Sequence, residues 1–166
     1  LNNQVSETAA GQFPHAVVLS CIDSRVPVEL VFDQGIGDIF SARVAGNIIN
    51  EDILGSIEYG CKVAGSKLVI VMGHTKCGAV TAACKRVELG NITPLLSKIL
   101  PAVDEVIGAN GEVTDSNIEK VSVVNINNAI SRMRSESAIL NEMEKEGSIQ
   151  IVGAVYDVAS GKVNFL

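Results

Sequence analysis

Unbroken apolar runs, rather than alternating ones, set the rhythm of this chain. Residues 16–20 (AVVLS) and 67–72 (KLVIVM) read as strands buried on both faces, as in parallel sheets covered by helices on either side. Residues 38–45 (DIFSARVA) predict another strand after the turn-rich segment 33–37, and residues 149–158 a further one. Ser160 and Gly161 then turn the chain into a short terminal strand over 163–166. The intervening segments carry helical periodicity. Asn50 is placed to cap a helix reaching about residue 63, with Ile53, Leu54 and Ile57 at helical spacing and Gly65 beyond its end. A helix is expected over about 78–89, stopped by Gly90. Thr93 and Pro94 form a cap and first position for the next helix, which Pro101 should kink or split. Thr114 or Asp115 caps a helix through about residue 133, and 136–146 forms another. The predicted fold is α/β, a mostly parallel central sheet flanked by helices. About four strands are joined by an antiparallel edge strand, in one domain over 1–166.

Composition narrows the function classes. Of 166 residues, 47% are apolar and 19% charged, so a packed core is expected and a disordered chain is excluded. The net charge of −6 disfavours nucleic acid, whose binding rests on phosphate neutralisation by Lys and Arg. No stretch of about 18 uncharged apolar residues exists to span a membrane. The chain starts at Leu1 without a signal-peptide pattern, so a cytoplasmic location is expected, with the periplasm left open. The four cysteines, Cys21, Cys61, Cys77 and Cys84, belong to a mid-sized apolar chain, which favours metal binding or buried thiols over a disulfide framework.

The candidate chemistry lies in two clusters, each directly after an apolar strand: Cys21-Ile22-Asp23-Ser24-Arg25 and His74-Thr75-Lys76-Cys77. Ligands of open α/β sheets bind beyond the carboxyl ends of strands, so neighbouring strands would bring both clusters to one edge. Two thiolates and an imidazole suit zinc, and three protein ligands leave a fourth position open, the catalytic pattern. Asp23 stands two residues from Cys21, on the same side of an extended segment. It could fill that fourth position or accept a hydrogen bond from a water there. Arg25 could hold the Asp23 carboxylate ionised through a bidentate pair. Cys61 and Cys84 are expected to be buried bystanders. Cys84 stands seven residues beyond Cys77, about 10 Å along a helix, too far to share an ion. Gly35 and Gly37 precede a strand instead of a helix and do not form a dinucleotide fingerprint.

Taken together, Cys21-x-Asp23-Ser24-Arg25 and His74-x-x-Cys77-Gly78 resemble the zinc signature of the β-class carbonic anhydrases. The similarity runs from Gly11 to the terminal strand, including Arg43-Val44-Ala45-Gly46-Asn47 and Gly55-Ser56-Ile57-Glu58-Tyr59. The resemblance implies one Zn²⁺ per subunit on Cys21, His74 and Cys77, with Asp23 and Arg25 as the catalytic dyad. It implies reversible hydration of carbon dioxide to bicarbonate and a proton by zinc-bound hydroxide. Gln12 matches a glutamine that hydrogen-bonds substrate or product, and Phe40 and Tyr59 match aromatic residues lining the carbon dioxide pocket. Ala45 and Gly78 fall near the same pocket. Gln12, Phe40 and Tyr59 come partly from a neighbouring subunit in that family, so a homodimer or homotetramer is implied. The helical arms that usually precede this region are expected to be missing. One subtype places a Trp three residues before the first cysteine ligand; here Val18 stands there, so the open form is expected, with Asp23 on Arg25 instead of on zinc. Two alternatives remain at this level: a hydrolase of carbonyl sulfide or carbon disulfide with the same fold, and a zinc-stabilised binding protein without turnover.

Overall fold

A computed structural model describes residues 1–166. The chain runs α1 (Asn2–Thr8), β1 (Ala16–Ser20), α2 (Val28–Val31), β2 (Ile39–Arg43), α3 (Glu51–Glu58), β3 (Leu68–His74), α4 (Gly78–Cys84), α5 (Ile92–Leu96), α6 (Leu100–Val106), α7 (Asp115–Glu136), α8 (Ala138–Lys145), β4 (Gln150–Tyr156) and β5 (Val163–Phe165). Five strands form one sheet in the order β2-β1-β3-β4-β5. The β2/β1, β1/β3 and β3/β4 pairs are parallel and β4/β5 is antiparallel, as the apolar runs predict.

Alternate residues of the central strands pack on opposite faces, which is why these strands are apolar up to Ser20 and His74 at their carboxyl ends. Val17, Leu19, Val69 and Val71 meet Ile57 of α3, Ile126 and Met133 of α7 and Leu140 of α8. Val18, Ile70 and Met72 face the other way, with Val26 and Val28. A third apolar cluster forms where Cys21 and Cys77 meet Ile48, Val80 of α4, Ile99, Val103 of α6 and Val121 of α7. The carboxyl ends of β1 and β3 therefore open onto a packed floor.

Several boundaries differ from the sequence pattern, each for a local reason. The helix expected over 78–89 ends at Cys84, because Arg86 takes a left-handed φ of 52°. Arg86 N–H then donates to Ala83 O and Val87 N–H to Ala82 O, the paired bonds that close a helix. An ion pair from Arg86 to Asp104 of α6 at 2.6 Å fixes this turn without glycine. The strand expected to stop at Met72 continues to His74, which pairs with Tyr156 of β4. The Asn50 cap forms, its Oδ1 accepting from Ile53 N–H at 2.8 Å, and after α3 the helix loosens into one π-helical turn over Tyr59–Val63. Thr93 lies inside α5 instead of capping it, its Oγ1 accepting from Leu89 N–H; the helix is split as expected, with the break at 97–99 and Pro101 in the first turn of α6. Thr114 caps α7 and Ser137 caps α8. The short helices α1 and α2 have no counterpart in the apolar pattern; α1 buries no side chain and α2 only Val28. No helix is long and apolar enough to cross a membrane.

Candidate metal centre

Because the chain passes from β1 to β2 on one side and from β3 to β4 on the other, the connections after β1 and β3 diverge, and the crevice between them is where open α/β sheets bind ligands. Cys21 follows β1 directly, and His74 ends β3. Cys77 caps α4 with extended backbone (φ −68°, ψ 120°) and spends no side-chain bond on the helix. The three side chains meet although they come from separate segments: Cys21 Sγ, Cys77 Sγ and one His74 ring nitrogen all lie within 4.8 Å of one another, and all three residues are buried. Tetrahedral zinc with such ligands needs separations of roughly 3.8 Å or less, so a small closure suffices.

The polarity of the group follows from its hydrogen bonds. His74 Nδ1–H donates to Thr75 O at 3.0 Å, so in the neutral ring Nε2 carries the free lone pair. Nε2 is buried and has no hydrogen-bond partner, an orphaned lone pair facing the two sulfurs. A buried acceptor left bare is costly, and a metal ion is the partner it lacks. Cys21 Sγ accepts from Gly46 N–H at 3.3 Å. The Cys77 thiol beside it, against the cost of burial, together with that N–H, pulls Cys21 down to about 4, while the negative Cys21 and burial push Cys77 up. Negative charge is thus favoured on Cys21 over Cys77, and a cation bound by both sulfurs displaces their protons.

Asp23 and Arg25 stand at the rim of the group. Arg25 Nε donates to Asp23 Oδ1 at 2.9 Å and Nη2 to Oδ2 at 2.7 Å, and Arg25 N–H also donates to Oδ1 at 2.9 Å. The Arg25 guanidinium thereby holds the Asp23 carboxyl well below the usual carboxylate range. Asp23 Oδ2 lies 3.7 Å from His74 Nε2, next to the ligand group but outside it. Cys61 and Cys84 are buried elsewhere, and burial raises both thiols.

The other expected residues divide. Gly78 opens α4 beside Cys77, and a Cβ there would meet no atom within 4 Å. Ala45 begins the short 3₁₀ turn Ala45–Asn47 after β2. Phe40 and Tyr59 pair edge to face with ring centroids 6.1 Å apart, and with Val17, Arg43 and Ile53 they line a cavity of about 680 Å³ outside β2. None of the three ligand residues reaches that cavity within the chain. Gln12 is exposed and makes no hydrogen bond. The sequence motifs also omitted supporting residues. Arg43 donates to Cys21 O at 2.9 Å and to Asp23 O at 2.6 Å, tying the first ligand loop to β2. Asn125 of α7 donates to Gly46 O at 2.9 Å, tethering the residue whose N–H reaches Cys21. Arg43 lies within the matched segment 43–47 and was available as a signal, whereas nothing local marks Asn125.

Several known proteins resemble this chain in sequence and fold. A family model described as carbonic anhydrase matches residues 16–163. Carbonic anhydrase 2 of Mycobacterium tuberculosis is 35% identical over 159 residues, which span 93% of this chain and 75% of that protein. The carbonic anhydrase of Mycolicibacterium smegmatis is 33% identical over 157 residues, 92% of this chain and 74% of that one. Among solved structures, the β-carbonic anhydrase CafA of Aspergillus fumigatus superposes with a TM-score of 0.91 at 26% identity, covering 99% of this chain and 81% of that chain.

Proposed function

The chain belongs to the β-class carbonic anhydrase family, and from that premise we propose that Cys21, His74 and Cys77 hold one zinc ion per subunit at which carbon dioxide is reversibly hydrated to bicarbonate and a proton. The observation that carries this reading is the buried Nε2 of His74, without a hydrogen-bond partner, in a group whose ligand atoms all lie within 4.8 Å of one another. The donor set is chemically apt, since borderline-soft imidazole and thiolate ligands select zinc over the hard cations that prefer oxygen. Zinc held there would supply Lewis acidity able to lower the pKa of a water toward neutrality. The bound-water pKa of about 7 known for the three-histidine carbonic anhydrase belongs to a different ligand set. Two thiolates reduce the charge of the site to zero, so hydrogen bonding must supply part of the activation.

Asp23 supplies it. Its carboxylate, kept ionised by Arg25 and 3.7 Å from His74 Nε2, would accept a hydrogen bond from a water on a metal held there. It orients the attacking oxygen and passes on the released proton without retaining it. Arg25, holding both oxygens of that carboxylate, would in turn keep Asp23 from becoming a ligand, the open arrangement. No second histidine stands by to carry the proton away: His15 precedes β1, at the opposite end of that strand from Cys21. External buffer is therefore the acceptor, and turnover rises with buffer concentration.

The apolar pocket for carbon dioxide is completed by a second copy of the chain. What supports this is the placement of Phe40 and Tyr59 together around a cavity that the chain's own metal ligands do not reach, with Tyr59 half exposed. Gln12, exposed and unbonded, is assigned to hydrogen-bond substrate or product there, with Ala45 and Gly78 bordering the pocket. A homodimer or homotetramer is the functional unit; a solved relative from Sordaria macrospora is described as tetrameric. Stopped-flow hydration of carbon dioxide, run with zinc analysis and light scattering, tests the whole reading. One zinc per chain, hydration activity and an oligomer are expected. Zinc-free protein of full activity, or an active monomer, would overturn the corresponding part.

A further inference from the structure

We infer that Glu119 of α7 is a positioning residue for the metal centre, acting on the second ligand loop through Lys76. The inference rests on the reading of His74 and Cys77 as metal ligands. Lys76 separates these ligands in the loop and adopts a left-handed φ of 55°, a conformation that side chains with a Cβ seldom take. This turn carries the chain from the end of β3 into α4 and points Cys77 back toward His74 and Cys21. Such a turn persists only where its surroundings hold it.

Two side chains do so from opposite sides. Lys76 N–H donates to Glu119 Oε1 at 3.0 Å, and Lys76 O accepts from Arg25 Nη2 at 3.3 Å. The same Nη2 donates to Asp23 Oδ2 at 2.7 Å. Glu119 therefore begins a connected series that passes through Lys76 and Arg25 to Asp23, yet it touches neither a ligand atom nor the open position. The helix that carries it is firmly seated: Ile118 and Val121, on either side, are buried in the cluster that contains Cys21 and Cys77. The carboxylate is thus held at fixed distance from the loop it bonds. Partners beyond the ligands of zinc sites typically influence affinity or activity by about 10–100-fold.

Removing this carboxylate does not strand a buried donor. Glu119 and Lys76 line a water-accessible cavity of about 370 Å³ with Lys85 and Thr81, so water reaches the released N–H and the fold survives. The zinc-loaded enzyme and its Glu119→Ala and Glu119→Gln variants are compared by zinc loss to excess EDTA, by hydrogen exchange at the Lys76 amide, by kcat and KM for carbon dioxide, and by Tm. Glu119→Ala is expected to lose zinc about tenfold faster and to lower kcat about tenfold at nearly constant KM, with faster Lys76 exchange. Glu119→Gln keeps an acceptor oxygen and should stay within about threefold of wild type in every readout. Wild-type zinc loss and exchange in Glu119→Ala would overturn the proposal, as would a Gln variant as impaired as the Ala variant. Wild-type protein that neither keeps zinc nor hydrates carbon dioxide would overturn the function itself, and this proposal with it. An active, zinc-loaded wild type beside an unaffected Glu119→Ala would overturn this proposal alone.

Discussion

Asp23→Asn removes a charge at the metal rim while leaving shape almost unchanged. Asp23 accepts three hydrogen bonds, from Arg25 N–H and Nε at Oδ1 and from Nη2 at Oδ2. An asparagine with its oxygen in the Oδ1 place keeps the first two. Its amide nitrogen then confronts Nη2, donor against donor, and Arg25 must withdraw. The Arg25 side chain is half exposed, so water takes over its donors and the stability change is small, within about 4 °C in Tm. Catalysis should suffer far more. A positioned acid–base group contributes about 10²–10⁴-fold, and the lower end applies because the bound water retains its other contacts. The expected fall in kcat is about 100-fold, or about 2.7 kcal/mol of barrier at 1.36 kcal/mol per tenfold. Stopped-flow hydration with a pH indicator measures it, with zinc content determined on the same samples. A variant carrying full zinc and within about twofold of wild-type kcat would refute the role of Asp23. Loss of the zinc would refute it differently, by making Asp23 a ligand.

Three other outcomes test the fold and the thiols. Ile57→Ala truncates a side chain with 0% exposure between α3 and the sheet, and should cost about 2–5 kcal/mol in urea unfolding; a loss below about 1 kcal/mol would contradict its place in the core. Burial raises the Cys61 thiol to about 11 from its ordinary 9.0, so the folded state keeps that proton longer than the unfolded state. This stabilisation is complete below pH 9 and is lost as pH rises through about 11, so a falling urea midpoint over that window should flatten in Cys61→Ala, and an unchanged slope would count against it. Chelation of the metal should make Cys21, drawn down to about 4, the first thiol to react with a mass-tagged alkylating agent at neutral pH. Prior labelling of Cys61 or Cys84 would reverse the assignment of ligands and bystanders.

Much of this architecture is legible in residue order. Apolar runs at 16–20 and 67–72 announce strands buried on both faces, because a parallel sheet under helices leaves no face for polar residues. Ligand-capable residues directly after those runs mark the carboxyl ends of strands, so Cys21, His74, Cys77 and the Asp23–Arg25 pair are visible before any folding. Asn50 announces its helix because a cap bonds an N–H only three residues away. Arg86 does not announce the end of α4, since an arginine seldom takes the left-handed backbone it adopts there.

The same division runs through the site. Nearby residues in sequence can reveal what is local: burial, caps, and ligands a turn apart. Arg43, Gly46, Glu119 and Asn125 reach the centre only because β1 lies between β2 and β3 and α7 lies beside the ends of both. Their bonds span sequence separations of 22, 25, 43 and 79 residues, and no local pattern encodes a partner that register and helix placement must first bring near. Chemistry of the ligands is a property of residue type and spacing. Their orientation, protonation and the strained turn at Lys76 are properties of packing, because a hydrogen bond a few ångströms long depends on where both of its ends have been carried.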